Sequence, residues 1–178
     1  MTDHKVIVVG CGLAGLTVAL ELAKKTKVLI LSKKDVFKSA TAWAQGGIVN
    51  VPNEKESIRA HISDTISAGQ GLVEKKVAQF VAESGYFAID WLIKRGVLFS
   101  LNKDKDKTLH LVKEGGHSVA RIAHAADATG KAILDALYEK AQKHPNININ
   151  INWIAIDLIV EPGSNNNHQK KTVIGIYA

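Results

Sequence analysis

The chain has 178 residues, of which 46% are hydrophobic and 22% are charged, a composition typical of one folded domain with a sizeable core. Its formal net charge is +6, but the lysines are scattered among acidic residues, unlike the basic faces of nucleic-acid-binding proteins. The absence of a run of about 18 apolar residues argues against a membrane span, and the first four residues do not resemble a signal peptide. The single cysteine, Cys11, excludes an intrachain disulfide and a cysteine-cluster metal site, which is typical of a cytoplasmic protein.

The chain begins with a predicted strand, a glycine-rich turn and a predicted helix. Lys5–Val9 is short and apolar, which predicts a strand buried on both faces. The turn Gly10–Gly15, GCGLAG, fits G-x-G-x-x-G, and the apolar residues after it have helical spacing. In this motif the glycines make a tight turn, admit a pyrophosphate to the backbone and let the helix pack closely on the strand. The pattern predicts a dinucleotide site at the helix N-terminus, with a ligand-free strand-to-helix turn as the alternative. Within the turn, Cys11 is interpreted as a small packing residue and not as a nucleophile.

The second predicted strand, Lys27–Leu31, is followed by Ser32, Lys33 and Lys34. Dinucleotide-binding folds commonly place an acidic residue here to bond a ribose, but Asp35 comes late. Ser32 is therefore the candidate for a ribose hydroxyl, and Lys33 for phosphate or ribose. An ordinary solvated loop is the alternative for the lysines.

An irregular segment of small residues follows, from Val36 to Ile48. Its position near the glycine turn favours a ligand-binding loop, because small residues admit a flat ring or a phosphate to the backbone. Ser39, Thr41 and Gln45 would supply hydrogen bonds. The alternative is a tight glycine turn into a strand at Ile48–Val51.

Three amphipathic helices are predicted next, over residues 54–68, 73–83 and 85–94. In the first, His61 lies beside an apolar stripe and is interpreted as a packing or surface residue. The apolar side chains expected to face the core are Ile58, Ile62, Ile66, Val77, Phe80, Val81, Phe87, Trp91 and Leu92. Gly96 is expected to end the third helix.

A polar loop after the predicted strand Leu109–Val112 is the second candidate site. Residues 113–124 combine one acid, two glycines, two histidines, a serine and an arginine, a mixture suited to the wall of an active site. Glu114 would contact an amine, and Arg121 a carboxylate or phosphate. A plain polar loop before a helix is the alternative. His117 and His124 lack a third ligand at useful spacing, so no metal site is predicted.

The last part of the chain predicts a helix over 130–143, one long strand over 147–161, a turn at Pro162–Asn167 and a returning strand over 172–177. The inward helix residues are Ile133, Leu134, Leu137 and Ala141. We therefore expect an α/β fold: a parallel Rossmann-type core with helical insertions and a late β-hairpin. The chain stops in an apolar strand pattern, which is typical of a chain cut short.

Four segments, in this order, resemble the L-aspartate oxidases of the succinate dehydrogenase/fumarate reductase flavoprotein family. They are GCGLAG at 10–15, LSK at 31–33, SATAWAQGGI at 39–48 and KEGGHSVARIAHAADATG at 113–130. The third marks the broad family, and the fourth is specific to the aspartate oxidases. The resemblance extends over essentially the whole chain.

This resemblance implies FAD as the cofactor and Glu114 as the residue that orients an L-aspartate substrate through its ammonium group. Where relatives often carry Gly-Ser, this chain has Ser39-Ala40, and Thr41 is expected to supply the hydroxyl. Together the glycine motif and the resemblance give the expected FAD contacts: Gly10, Cys11, Gly12, Leu13, Ala14, Gly15, Ser32, Lys33, Ala40, Thr41, Ala42, Trp43, Ala44, Gln45, Gly46 and Gly47.

For the full-length protein, the resemblance implies oxidation of L-aspartate to iminoaspartate with oxygen or fumarate as acceptor. The expected context is de novo NAD synthesis in the cytoplasm, with a functional link to quinolinate synthase. Family members are much longer, so residues 1–178 are expected to be the N-terminal part of an FAD-binding domain, without the capping domain or the catalytic arginine and histidines. Alone, this part is expected to be inactive and to lack flavin. The alternatives are a fumarate reductase or succinate dehydrogenase flavoprotein, and a non-catalytic nucleotide-binding module.

Overall fold

The computed structural model describes residues 5–52, 54–103, 108–161 and 171–178. The chain forms two compact units, one from Met1–Ala42 with Leu137–Ala178 and one from Trp43–Ala136. Short 3₁₀ turns cover Val36–Lys38 and Thr41–Trp43. The helices and strands, in chain order, are β1 (Val6–Val9), α1 (Leu13–Leu22), β2 (Val28–Ser32), β3 (Ile48–Val49), α2 (Lys55–Ala68), α3 (Lys75–Lys94), β4 (Leu111–Val112), β5 (Ile122–Ala123), α4 (Thr129–Gln142), β6 (Ile147–Ile151), β7 (Asp157–Glu161) and β8 (Thr172–Tyr177).

A parallel sheet with the order β1-β2-β6 forms the core of the first unit. Val6 of β1 pairs with Val28 of β2, which in turn pairs with Ile147 of β6. β2 is central, and its Val28 and Ile30 are fully buried. Read from β6 to β1, this is the 3-2-1 half of a Rossmann sheet, so the predicted α/β class with a parallel core is confirmed.

The strand β1 is less buried than predicted. Ile7 is 38% exposed and Val9 is 58% exposed, while Val6 and Val8 on the other face are partly covered. Among the described strands β1 pairs only with β2, so one face and one edge of this strand lack the cover that a central parallel strand has. The prediction of burial on both faces is therefore wrong.

The glycine turn joins β1 to α1 in the geometry that the motif predicts. Gly10 has a φ of +104°, a left-handed conformation that favours glycine. A Cβ on Gly15 would lie 1.9 Å from the carbonyl oxygen of Gly10, so α1 approaches the turn more closely than any side chain allows. The predicted roles of the first and third glycines are confirmed.

The predicted long strand over 147–161 is wrong, because two strands in different sheets occupy it. β6 ends at Ile151, and Asn152 follows with a φ of +63°, which breaks the extended chain. Trp153 then donates its N–H to the Ser32 carbonyl. β7 pairs antiparallel with β8. The late β-hairpin is thus confirmed, and its predicted turn at Pro162–Asn167 lies outside the described residues.

In the second unit, α3 is one helix of 20 residues where the sequence predicted two. Its buried residues are Ala78, Ala82, Ile89 and Leu92. These positions continue through Gly85 at alternating spacings of about three and four, which is the period of one uninterrupted helix face. Gly85 therefore lies in the middle of the packed face and does not end a helix.

The large aromatic residues of α3 do not form the predicted core. Phe80 is 70% exposed and Phe87 is 59% exposed. Trp91 is half-buried, and the Arg95 guanidinium lies 3.5 Å from its ring centre. Ala78, Ala82, Ile89 and Leu92 pack this helix, so the prediction is confirmed for Leu92, and the aromatic residues occupy the other faces.

The helix α2 extends nearly as predicted, but it buries a different residue. His61 is its one buried residue among those described, whereas Ile66 of the expected stripe is exposed. In the same unit, β3, β5 and β4 form a short antiparallel sheet. The inward residues predicted for α4, namely Ile133, Leu134, Leu137 and Ala141, are all buried. Within the part of the chain that the structure covers, no helix is both long and apolar enough to cross a membrane.

Replacement of Gly15 by alanine tests the close packing of α1. The Cβ of Gly15→Ala would contact the Gly10 carbonyl oxygen at 1.9 Å, so we expect a loss of about 1–3 kcal/mol in the free energy of unfolding, as for an overpacked core. Urea denaturation measures it. The control is Gly115→Ala, where nothing lies within 4 Å of the added Cβ, and its midpoint should barely move. Equal midpoints for both variants would contradict the assignment.

Candidate functional site

A cleft lies at the carboxyl end of the parallel sheet in the first unit. Its volume is about 380 Å³. It is bordered by β1, β2, the glycine turn and the 3₁₀ turns. These segments meet here because the carboxyl ends of parallel strands lie at one edge of the sheet. The lining residues are Val9, Gly10, Cys11, Gly12, Leu31, Ser32, Lys33, Lys34, Asp35, Lys38, Ser39, Ala40, Thr41, Trp153, Ile154 and Ala155. The predicted residues Gly10, Cys11, Gly12, Ser32, Lys33, Ala40 and Thr41 are thus brought together.

The N-terminus of α1 opens at this cleft. Gly12 is the N-cap residue, and no side chain of its own satisfies the first turn. The N–H of Leu13 donates to the Thr41 hydroxyl at 3.0 Å. A Cβ on Gly12 would lie 3.1 Å from the same hydroxyl oxygen, so a side chain here would crowd the loop. The turn therefore presents backbone and a hydroxyl group to the cleft, together with the partial positive charge of a helix N-terminus.

The charges around the cleft favour an anion. Lys33, Lys34 and Lys38 line it together with one carboxylate, that of Asp35. The Asp35 carboxylate accepts the N–H of Phe37 at 2.9 Å and so begins the 3₁₀ turn. Ser32 donates its hydroxyl proton to the Lys34 carbonyl at 2.7 Å, which leaves its oxygen lone pairs to accept a hydrogen bond.

Cys11 lies within the glycine turn and is only 4% exposed. Burial raises the pKa of its thiol to about 11. The thiol is therefore protonated at neutral pH and adds no negative charge to the cleft, in agreement with its interpretation as a packing residue.

The sequence did not predict that Trp153, Ile154 and Ala155 line the cleft. They follow β6 directly, and the Trp153 N–H bonds to the Ser32 carbonyl at 3.0 Å. Two features of the sequence could have indicated this: the unusual length of the predicted strand over 147–161, and Asn152 within it. If the strand ends before Asn152, the next residues must lie at the same sheet edge as the glycine turn.

Residues Trp43–Gly47 belong to the second unit. The carbonyl groups of Ala44 and Gly46 accept hydrogen bonds from the Gly130 N–H and the Thr129 hydroxyl, respectively. A Cβ on Gly47 would lie 2.2 Å from Ile122 Cγ2, so β5 packs closely on this glycine. The strand β3 follows at once. These contacts are those of a tight turn into a strand, in which small residues are required by the close packing. The role of Trp43–Gly47 in FAD binding stays a prediction.

The loop that carries Glu114 is closed at its base and at its tip. At the base, Arg121 N–H donates to the Val112 carbonyl at 3.1 Å. At the tip, His117 N–H donates to the Glu114 carbonyl at 3.2 Å, and Gly116 has a φ of +83°, as in a turn that requires glycine at its third position. The Glu114 side chain is exposed on this turn.

Behind the loop, Arg121 is bound by the helix α2. Its side chain is 3% exposed, and the guanidinium donates to Asp64 Oδ2 at 2.7 Å. It also contacts His61 Nδ1 at 3.1 Å and the Ser118 hydroxyl at 3.1 Å. The prediction that Arg121 pairs with a ligand anion is therefore wrong, because a protein carboxylate already neutralises this buried cation.

Two ionisable groups of this cluster have shifted pKa values. Hydrogen bonds from the backbone and hydroxyl of Ser118, followed by Arg121, lower the pKa of Asp64 to about 2. Burial, followed by the charges of Arg121 and His117, lowers the pKa of His61. Since a guanidinium only donates hydrogen bonds, His61 Nδ1 accepts, and the neutral ring carries its proton on Nε2. Neutral His61 and charged Asp64 are thus the forms present at pH 7.

His124 forms a different pair. Its Nε2 lies 2.8 Å from Nδ1 of His110. His110 immediately precedes β4, and His124 immediately follows β5. Nowhere in residues 5–52, 54–103, 108–161 and 171–178 do three His, Cys, Asp or Glu side chains lie close enough together to hold a metal ion.

The cleft of the first unit fits the diphosphate part of a dinucleotide. The glycine at the start of α1 leaves the backbone accessible, the lysines supply positive charge, and Thr41 supplies a hydroxyl. Glu114 and Trp43–Gly47 lie in the second unit.

Comparison with known proteins agrees with this geometry. Residues 5–178 match the FAD binding domain family. The chain is 45% identical over 159 residues to L-aspartate oxidase 1 of Ralstonia nicotianae, which covers 89% of this chain and 30% of that protein. It is 43% identical over 175 residues to L-aspartate oxidase of Vibrio cholerae, which covers 97% of this chain and 32% of that protein.

The fold resembles that of solved flavoproteins. The FrdA chain of E. coli quinol fumarate reductase superposes with a TM-score of 0.80 at 27% identity, over 89% of this chain and 27% of that chain. The chain spans about 30% of the length of the curated relatives that it matches. It belongs to the FAD binding domain family and is a homologue of the L-aspartate oxidases.

Proposed function

We propose that this chain supplies the N-terminal part of the FAD-binding domain of an enzyme that oxidises L-aspartate to iminoaspartate, with oxygen or fumarate as the electron acceptor, in NAD synthesis. The observation that carries the proposal is the identity of more than 40% with enzymes named L-aspartate oxidase, over most of the chain. The remaining FAD contacts, the capping domain and the catalytic arginine and histidines would come from segments that the longer relatives have in addition.

In this proposal the cleft of the first unit holds the FAD diphosphate. The α1 N-terminus and Lys33 would attract its negative charge, and Thr41 would donate its hydroxyl proton while it accepts the Leu13 N–H. Ser32 would accept from a ribose hydroxyl. When bound, FAD supplies the electron-accepting ring, and the residues of this chain hold and orient it.

Glu114 would bind the ammonium group of L-aspartate. It is an exposed carboxylate at the tip of a hydrogen-bonded turn, and a charge-assisted hydrogen bond to an ammonium is strong. A dicarboxylate without an amine has no use for an anion at this point. The residue therefore favours L-aspartate over succinate and distinguishes the proposal from a fumarate reductase or succinate dehydrogenase.

The first test uses a polypeptide of the relatives' full length, purified with FAD. Mixed anaerobically with L-aspartate, its flavin absorbance near 450 nm should bleach, whereas succinate should leave it unchanged. Bleaching by succinate alone would indicate the fumarate reductase alternative. Bleaching by neither, with FAD still bound, would favour a non-catalytic nucleotide-binding module.

Replacement of Glu114 by glutamine tests its role in the same polypeptide. The loss of a charge-assisted contact should raise KM for L-aspartate roughly 10- to 100-fold, the range expected for about 1.5–3 kcal/mol. The inhibition constant of succinate, which lacks the ammonium group, should change little. The matched control is Glu83→Gln on the exposed surface of α3, where Glu83 contacts Gln79. A similar change for both ligands would contradict the assignment.

Replacement of Gly12 by valine tests the diphosphate cleft. The φ of Gly12 is −87°, which any residue adopts, so the backbone conformation does not exclude valine. Its side chain would enter the cleft beside Thr41, and we expect Kd for FAD to rise at least tenfold, a loss of about 1.4 kcal/mol. Fluorescence titration of the same full-length polypeptide without bound FAD measures this Kd, and circular dichroism verifies that the variant folds. The control, Gly85→Ala in α3, has no neighbour closer than 3.6 Å to the added Cβ. Unchanged affinity in Gly12→Val would exclude this cleft.

A further inference from the structure

The carboxylate of Asp64 is the point at which the helix α2 holds the loop that carries Glu114. Its Oδ2 atom accepts three hydrogen bonds: from the Ser118 N–H at 2.7 Å, from the Ser118 hydroxyl at 2.8 Å and from Arg121 Nη1 at 2.7 Å. Arg121 Nη2 also donates to the Ser118 hydroxyl at 3.1 Å. We call Asp64, Ser118 and Arg121 the Asp64 clamp.

The clamp adjoins the Glu114 turn directly. Ser118 follows His117, the last residue of that turn. Gly116, at the tip, lies against the end of α2, because a Cβ added to it would be 3.6 Å from the Ala68 Cβ. The base of the loop is closed by the backbone hydrogen bond from the Arg121 N–H to the Val112 carbonyl. The loop is therefore held at its base by β4 and β5 and near its tip by α2.

We infer that Asp64 is a positioning residue for substrate binding: through Ser118 and Arg121 it fixes the turn from which Glu114 meets the ammonium group of an amino-acid substrate. This inference rests on the proposed function. In this inference Asp64 acts through the loop, because its Oδ2 is bonded to Ser118 and Arg121. Its effect should therefore appear in the affinity for ligands that carry an amine, and much less in the turnover of bound substrate.

The groups that face Asp64 determine which variant tests the clamp cleanly. Arg121 is buried, and the neighbouring His61 and His117 add no negative charge. Removal of the Asp64 charge would leave a buried cation without a counter-ion, and the protein is then at risk of unfolding. Ser118→Ala keeps the ion pair and removes only the hydroxyl, which donates to Asp64 and accepts from Arg121.

The test uses the full-length flavoprotein with Ser118→Ala as the main variant and Asp64→Asn as the second. We expect Ser118→Ala to raise KM for L-aspartate roughly three- to tenfold, the effect of losing one or two ordinary hydrogen bonds. kcat should stay within about twofold, and the inhibition constant of succinate should hardly change. Asp64→Asn should have a larger effect of the same kind. The control, Asp90→Asn, removes a surface carboxylate of α3 that pairs with Lys94 and should change none of these values.

Amide hydrogen exchange supplies a second measurement that is independent of activity. The Ser118 N–H should be protected in the unmodified protein and exchange at least tenfold faster in Asp64→Asn, provided that the variant stays folded. An unprotected Ser118 amide in the unmodified protein would overturn the clamp.

The two proposals fail in different ways. If the unmodified protein does not oxidise L-aspartate, the proposed function is overturned, and the positioning role with it. If it does oxidise L-aspartate but Ser118→Ala leaves KM unchanged, or weakens L-aspartate and succinate equally, only the positioning role is overturned. A rise confined to L-aspartate, together with faster exchange at Ser118, supports it.

Discussion

The helix α1 lies on the glycine turn at a distance that leaves no room for a side chain. A single methyl group on Gly15 would overlap the Gly10 carbonyl oxygen at 1.9 Å. This close approach directs the first turn of α1, whose N–H groups have no partner within the helix, toward the carboxyl edge of the sheet. The cleft, the position of Thr41 and the lysines after β2 are arranged around that helix end. An anion is the ligand that such an arrangement suits.

How far the sequence predicts the fold depends on what each pattern measures. The glycine turn, the parallel sheet and the buried face of α4 follow from spacing that has one physical interpretation, and all of them were predicted. Apart from Leu92, the buried face of α3 was not, because the prediction gave the core to the largest apolar side chains. Ala78 and Ala82 are too small to dominate such a pattern, yet they pack closely where Phe80 remains 70% exposed.

The candidate site shows the same limit. The motif around Gly10–Gly15 identifies residues that are neighbours in the chain, and its first three, Gly10–Gly12, line the cleft. Trp153–Ala155 reach the cleft only because β6 joins the sheet beside β2, and strand order is not encoded in any local pattern. Arg121 is a related case. Its residue type suggested an anionic ligand, but the anion is Asp64, 57 positions earlier in the chain.

That ion pair also bears on why the loop is polar. A buried ion pair seldom stabilises a fold more than apolar side chains of similar size, because desolvation offsets the attraction. If the loop needed only to be attached to α2, apolar packing would suffice. A carboxylate oxygen that accepts three hydrogen bonds from the Ser118 backbone, the Ser118 hydroxyl and Arg121 fixes direction as well as distance. Fixed direction matters for a side chain that must meet a small charged group, since about one ångström of misplacement weakens such a contact severely. In the proposed function, where Glu114 meets the ammonium group of the substrate, the polarity of this cluster is better explained by the positioning of that carboxylate than by stability.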